Sequence, residues 1–135
     1  MPPRRHRNPR EVDAAVDAVL ACIDADERPT RQDLALAVRG LAERLAEAAP
    51  GYHVEVRVPP FAAVQCVEGP RHTRGTPPNV VEVQPVPFVL LCTGRLSWAE
   101  GVVDGRVRTW GDRADVSAWL PLAGAPGSQT PRAER

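Results

Sequence analysis

The cysteines and histidines of this sequence are the side chains best suited to nucleophilic or metal chemistry. They are Cys22, Cys66 and Cys92, with His6, His53 and His72. Neither set has the short ligand spacing of a zinc site, so we expect no metal. Cys66 and His72 could form a thiol–base pair, but the residues between them cross a predicted strand end. That separation does not bring the two side chains together reliably, so no catalytic residue is predicted.

The surroundings of the cysteines point to a cytoplasmic protein. Each cysteine lies among apolar residues, which suits a buried, reduced thiol. The basic segment Met1–Arg7 is followed by no apolar run and does not resemble a signal peptide. The longest apolar stretches, such as Val86–Cys92, are too short to span a bilayer. We therefore expect no stable membrane insertion.

Four basic side chains form the second group of residues that could bind a ligand. Arg57 lies on the polar side of a predicted strand, and Arg71, His72 and Arg74 lie in a polar loop between two later strands. Converging arginines bind carboxylate or phosphate groups bidentately, so these residues are a candidate anion site. The alternative is a solvated loop whose arginines pair with acidic neighbours. Those neighbours are Glu55, Glu68 and Glu82.

Charge and composition exclude several classes of function. The chain has 17 basic and 17 acidic side chains and no net charge, and every basic one other than histidine is arginine. A general nucleic-acid binder needs excess positive charge, so no nucleic-acid partner is expected. The sequence also lacks a glycine-rich phosphate-binding loop and a nucleophile-elbow serine. We predict a non-enzymatic protein without a cofactor.

Two helices are predicted at the start of the chain. The first follows Asn8 as N-cap and Pro9 as first helical residue. Its apolar stripe is Val12, Val16, Val19, Leu20 and Ile23. The second follows Thr30 and ends before Pro50. Its stripe is Leu34, Val38, Leu41 and Leu45. Arg39 and Glu43 lie one turn apart on its polar face and are expected to pair weakly, by about 0.3 kcal/mol.

Strands dominate the middle of the chain. Residues 53–58 alternate with period two, residues 61–67 are apolar enough for a more central strand, and residues 79–83 form a third strand. Because the connections are too short for crossover helices, we predict an antiparallel meander. Short helices are expected over residues 88–93 and 98–104, a fourth strand over 106–110, and a helix or helical turn over 112–120.

These elements predict an α+β fold. We expect a mainly antiparallel sheet of about four to five strands with helices packed on one face. Residues 1–8 are predicted to be a flexible tail, residues 9–122 the folded domain, and residues 123–135 a disordered tail rich in Gly, Pro, Ser and Arg.

The spacing of the glycines in the last third of the domain carries a family resemblance. Thr93-Gly94 ends one helix, Gly105 precedes a strand, Gly111-Asp112 makes a turn, and Leu120-Pro121-Leu122 closes the segment. This pattern resembles the C-terminal signature of the sterol carrier protein family. The strands from Val54 to Val83 look like its actinobacterial branch, the bacterial sterol carrier orthologue domain. The resemblance covers about residues 10–122.

The resemblance implies a sterol-carrier-like fold with an apolar cavity between sheet and helices. The chain would then be a carrier for a lipid or a small apolar molecule, which is either neutral or anionic. The candidate pocket residues are Phe61, Val64, Phe88, Leu91, Leu96, Trp98 and Val102. The alternative for these residues is that they pack together as core.

A second functional interpretation remains open. Domains of this kind also occur attached to mycothiol-dependent isomerase-like enzymes, whose metal site belongs to a separate helical bundle. The chain would then be a protein-interaction or accessory domain with a vestigial cavity. Its partner would be another protein or, in a homodimer, a second copy.

Overall fold

The computed structural model describes residues 7–69 and 79–122, which form four α-helices and four strands. In chain order these are α1 (Pro9–Asp24), α2 (Arg31–Ala48), β1 (Val54–Val58), β2 (Ala62–Cys66), β3 (Val80–Val83), α3 (Pro85–Cys92), α4 (Trp98–Val103) and β4 (Val107–Trp110). Within the described residues, no helix has both the length and the apolar character needed to cross a bilayer. The arrangement is α+β, as predicted.

The predicted caps begin three of the helices. The Asn8 side chain accepts a hydrogen bond from the backbone N–H of Arg10 at 2.9 Å, and the Thr30 hydroxyl accepts one from Asp33 at 3.1 Å. Ser97 and Glu100 form a reciprocal capping box at the start of α4. These side chains satisfy backbone donors that have no partner inside the helix, which is why the sequence fixes these starts well.

Two helical predictions are refined by the structure. α3 begins at Pro85, earlier than predicted, because the first turn of a helix tolerates proline. Of the helix or helical turn predicted over residues 112–120, the structure has the turn, a 3₁₀ helix at Ser117–Trp119. Asp115 accepts a hydrogen bond from the backbone of Ser117 at 2.8 Å, and such local side-chain bonds compete with regular helix.

The strand order of the sheet is β2-β1-β3-β4. β1 pairs antiparallel with β2 and β3 pairs antiparallel with β4, whereas β1 and β3 are parallel. The predicted meander is therefore wrong. β2 ends beside the start of β1, and β3 starts at the same end of the sheet. β2 is consequently an edge strand and not the central one that its apolar composition suggested.

The two faces of the sheet differ in chemistry. On β1, Val54, Val56 and Val58 are buried on the face that joins the core with α2 and α3, while Glu55 and Arg57 point to the other face. The outer face continues the polar pattern, because Arg57 is paired in register with Glu82, and Glu82 with Arg108. The helical layers consist of α2, which contacts β2 and α3, and of α1 packed on α2.

Phe61 and two arginines join the turn before β2 to α2. The guanidinium carbons of Arg31 and Arg39 lie 5.1 and 5.7 Å from the centroid of the Phe61 ring, and Arg39 Nε donates to the Phe61 carbonyl at 3.2 Å. The predicted Arg39–Glu43 pair is therefore wrong. Glu43 pairs instead with Arg7. A cation–π contact with a partly buried ring is worth more than an exposed ion pair along a helix.

Asn79 ties the start of β3 to two other segments. Its amide nitrogen lies 3.3 Å from both the carbonyl oxygen and Nε2 of His53, just before β1, and its amide oxygen accepts from the backbone N–H of Arg113 at 2.9 Å. Both side chains are buried. A buried amide with several partners specifies one arrangement, since any other would leave polar atoms unpaired.

Gly40 sets the distance between α1 and α2. A Cβ atom built at Gly40 would lie 2.5 Å from both γ-carbons of Val12, whose side chain is 1% exposed. That separation is far inside van der Waals contact. The absence of a side chain at this one position in α2 therefore allows α1 to pack closely.

We expect Gly40→Ala to destabilise the protein. Alanine favours the helix by about 1 kcal/mol, but overpacking a core contact typically costs about 1–3 kcal/mol. Val12→Ala alone should also destabilise, because it leaves a cavity. The double variant should be more stable than the sum of the two changes predicts. Urea unfolding of the unchanged protein, the two single variants and the double variant measures this coupling. Strictly additive changes in the free energy of unfolding would contradict the close approach of Gly40 to Val12.

Candidate functional site

A cleft lies where α3 and α4 meet the closing segment of the domain. It has a volume of about 250 Å³ and is lined mainly by apolar side chains. The lining residues are Leu91, Gly94, Leu96, Ser97, Trp98, Ser117, Leu120 and Pro121. Three of them, Leu91, Leu96 and Trp98, belong to the predicted pocket. We call this the α3–α4 cleft.

Local backbone geometry brings the two walls of the α3–α4 cleft together. The backbone N–H groups of Arg95 and Leu96 both donate to the Leu90 carbonyl, at 2.9 and 3.2 Å, and close the end of α3. Gly94 adopts φ +83° there, a conformation that glycine takes without steric cost. The chain therefore reverses within a few residues, so Leu96 and Trp98 face back toward Leu91.

The closing segment supplies the third wall. The backbone N–H of Leu122 donates to the Cys92 carbonyl at 3.0 Å, which holds the end of the segment against the end of α3. Leu120 and Pro121 therefore lie over the α3–α4 cleft, although the sequence analysis did not include them among pocket residues. The sequence signal that could have identified Leu120 and Pro121 was their place in the Leu-Pro-Leu motif. Ser117 was missed too, because a lone serine in a turn carries no chemical pattern.

The remaining predicted pocket residues lie elsewhere. Phe88 is 2% exposed within the core, and Phe61 lies between the guanidinium groups of α2. Val64 lines a separate groove beside β2, and Val102 is 43% exposed on α4. The seven residues therefore do not line one common cavity. Of the four remaining residues, only Phe88 is buried in the core, whereas Phe61, Val64 and Val102 are at least partly exposed.

The predicted anion site falls partly outside the described residues, since Arg71, His72 and Arg74 are not among them. Arg57 forms an ion pair with Glu55, with Nε and Oε2 3.1 Å apart. That contact is one of the alternatives that the sequence left open. Arg57 also lies on the opposite face of the sheet from the helices, so it does not reach the α3–α4 cleft. The anion site stays a prediction.

Comparison with known proteins agrees with this architecture. Residues 30–122 match the family described as bacterial SCP ortholog, where SCP is sterol carrier protein. The chain belongs to the bacterial SCP ortholog family. A search of curated proteins found no match. The matched region starts at the N-cap of α2, later than the start near residue 10 that the sequence predicted, so α1 precedes the part shared with the bacterial SCP orthologs.

Cys66 and Cys92 of this bacterial SCP ortholog are poor nucleophiles in the folded state. Burial raises the pKa of the Cys66 thiol from 9.0 to about 11, and complete burial raises that of Cys92 further. Both thiols therefore stay protonated at neutral pH, whereas the thiolate is the reactive form. His72, the other half of the imagined thiol–base pair, lies outside the described residues. In the described ranges, no three metal-ligating side chains cluster.

Alkaline pH should destabilise the fold through these thiols. A pKa raised in the folded state means that the folded protein holds a proton that the unfolded chain releases. The stabilisation is complete below the unfolded pKa, near 9, and is lost as the pH rises toward about 11. Each thiol can contribute up to about 1.4 kcal/mol per pH unit to the slope.

Urea unfolding under reducing conditions between pH 8 and pH 10.5 measures this effect. The free energy of unfolding should fall less steeply in Cys66→Ala than in the unchanged protein, even though the variant is less stable at pH 8 because of its cavity. Parallel curves for the two proteins would show that Cys66 does not titrate as its burial requires.

Proposed function

We propose that this protein is a non-enzymatic binding module that holds a small apolar molecule in the α3–α4 cleft. The observation that carries the proposal is the convergence of Leu91, Leu96, Trp98 and Leu120 on one surface cleft. Membership of the bacterial SCP ortholog family supports a lipid-type ligand. The role would be to shield that ligand from water.

The size of the α3–α4 cleft limits the ligand. Binding pockets for small molecules usually measure about 300–1,000 Å³, and this cleft measures about 250 Å³. A molecule smaller than a sterol, such as a medium-length acyl chain, suits the space better. Because the cleft opens to the surface, a polar or anionic end of such a chain can remain in water and needs no buried charge partner.

Polar contacts in the α3–α4 cleft would orient the ligand. The Ser97 hydroxyl lies 3.1 Å from Glu100 in the capping box, which leaves Ser117 as the better-placed hydroxyl for a ligand head group. Apolar burial would supply most of the affinity, at about 0.8 kcal/mol for each methylene group. A cytoplasmic location belongs to the same proposal and is supported by the buried thiols, which persist in reducing compartments.

A series of saturated fatty acids tests the α3–α4 cleft. From hexanoate upward, each added methylene should tighten the dissociation constant about fourfold. The gain should stop once the chain exceeds the cleft. Titration calorimetry, with Trp98 fluorescence as a second signal, measures the series below the critical micelle concentrations. An affinity independent of chain length would contradict apolar burial.

Two matched variants separate the α3–α4 cleft from the rest of the surface. Ser117→Phe adds an aromatic ring at a residue that lines the cleft and should weaken binding at least tenfold. Ala118→Phe adds the same ring at the next residue, which is exposed and outside the lining, and should leave binding unchanged. Equal affinities in the two variants would rule out this cleft as the binding site.

A further inference from the structure

A second and larger groove runs between β2 and the C-terminal half of α2. Its volume is about 620 Å³. Its lining residues are Glu43, Ala46, Glu47, Pro50, Gly51, Tyr52, Ala63, Val64 and Gln65. We call it the edge groove. It is separate from the α3–α4 cleft, with which it shares no lining residue.

The backbone of β2 presents hydrogen-bonding groups to the edge groove. The N–H of Glu55 donates to the Asn79 carbonyl at 2.9 Å, so the backbone groups of Glu55 face the β3 side of β1. Because these groups alternate along a strand, Val54 and Val56 face β2. Their register partners Cys66 and Val64 face β1 in turn.

The backbone N–H and C=O groups of Ala63 and Gln65 therefore point away from β1, toward the open edge. Among the described strands, none pairs with that edge, because β2 is the first strand in the order β2-β1-β3-β4. Both residues are exposed. Within the described residues, the outward backbone groups of Ala63 and Gln65 have no strand partner, whereas the next outward N–H, of Val67, donates to the Ala49 carbonyl at 2.7 Å.

β2 lacks the features that usually protect an edge strand. Edge strands commonly carry charged side chains or proline, which discourage further pairing. β4, at the opposite edge of the sheet, carries Arg108, whose guanidinium carbon lies 5.3 Å from the Trp110 ring centroid. The five residues of β2 include neither a charge nor a proline. The sequence therefore leaves one of the two edges open to strand addition.

Carboxylates of α2 line one wall of the edge groove. Every charged side chain among its lining residues is a carboxylate, on Glu43 and Glu47 of α2. A neighbouring cleft that shares Pro50, Gly51 and Tyr52 adds Glu68. Glu43 already holds the Arg7 guanidinium of this chain, so a carboxylate of this wall is within reach of an arginine. Tyr52, 62% exposed, adds an aromatic ring of the kind that attracts cations.

We propose that the edge groove docks an extended, arginine- or lysine-bearing segment of a partner protein, which adds to the sheet as a fifth strand beside β2. The backbone groups of Ala63 and Gln65 would supply the main-chain pairing. Alternate side chains of the segment would face α2, where the carboxylates select positive charge. A second copy of this chain fits less well, since pairing β2 with β2 would bring two acidic walls together.

The first test uses two synthetic heptapeptides with alternating arginine and valine and blocked ends. One has normal peptide bonds, and the other is N-methylated at alternate bonds, so both carry the same charge. Calorimetry should show at least tenfold tighter binding of the unmethylated peptide, and ¹⁵N NMR should show the largest shifts at the Ala63 and Gln65 amides. Equal binding of both peptides, or no binding, would overturn strand addition.

Variants of the full chain locate the site. Gln65→Pro removes one outward N–H, a substitution that edge strands accept, and should weaken binding at least fivefold relative to Gln65→Ala. Glu47→Gln should weaken binding and reduce its salt dependence. If Gln65→Pro fails to fold, the comparison of the methylated and unmethylated peptides still tests whether binding needs main-chain pairing with β2.

Two further outcomes would contradict the choice of occupant. Concentration-dependent dimerisation with shifts at the β2 amides would make a second copy the occupant. Loss of peptide binding in Ser117→Phe would transfer the site to the α3–α4 cleft. Unchanged peptide binding in that variant, whatever happens to fatty-acid binding, is expected if the two surfaces are independent.

Discussion

The burial of α2 on two sides is the packing constraint on which the rest of the structure depends. α1 packs on one side of α2, while β2 and α3 contact it elsewhere. Seven residues of α2 are buried, Leu41 and Leu45 completely. A helix in this position needs small residues where a neighbour comes close, which accounts for Gly40 against Val12. Two of its polar residues, Arg39 and Glu43, lie at the margins of the helix, where Arg39 contacts Phe61 and Glu43 pairs with Arg7.

Both candidate binding surfaces follow from this filled interior. Because valines of the sheet and leucines of α2 occupy the centre of the described residues, both candidate surfaces lie at the margins of the layers. The α3–α4 cleft lies where two short helices leave the core, and the edge groove lies where α2 extends past the last strand. The lining of the α3–α4 cleft is mainly apolar, whereas that of the edge groove includes two carboxylates. The two surfaces share no lining residue, so the two proposed ligands would not compete for the same side chains.

The sequence predicted the local structure well wherever one side chain decides it. Asn8, Thr30 and Ser97 cap helices as expected, and the alternation of residues 53–58 corresponds to β1. Leu91, Leu96 and Trp98 were found as pocket residues because they flank a glycine turn and lie close together in the chain. Leu120 and Pro121 were missed, because a contact between residues far apart in the chain leaves no periodic pattern in the sequence. Phe61, Val64 and Phe88 do not line the α3–α4 cleft, and their positions also depend on contacts between residues distant in the sequence.

The sequence by itself determined the α+β class, the starts of α1, α2 and α4, the family resemblance and the absence of net charge. Only the tertiary structure decided which strands are neighbours. The pattern of β2 is that of a half-buried strand in either an edge or a central position. The choice depends on contacts between residues distant in the sequence, such as that of Asn79 with His53. Strand pairing is non-local, and the cost of closing a chain segment is nearly the same for several pairings. The open edge of β2 is therefore a property of the fold that no pattern of neighbouring residues predicts.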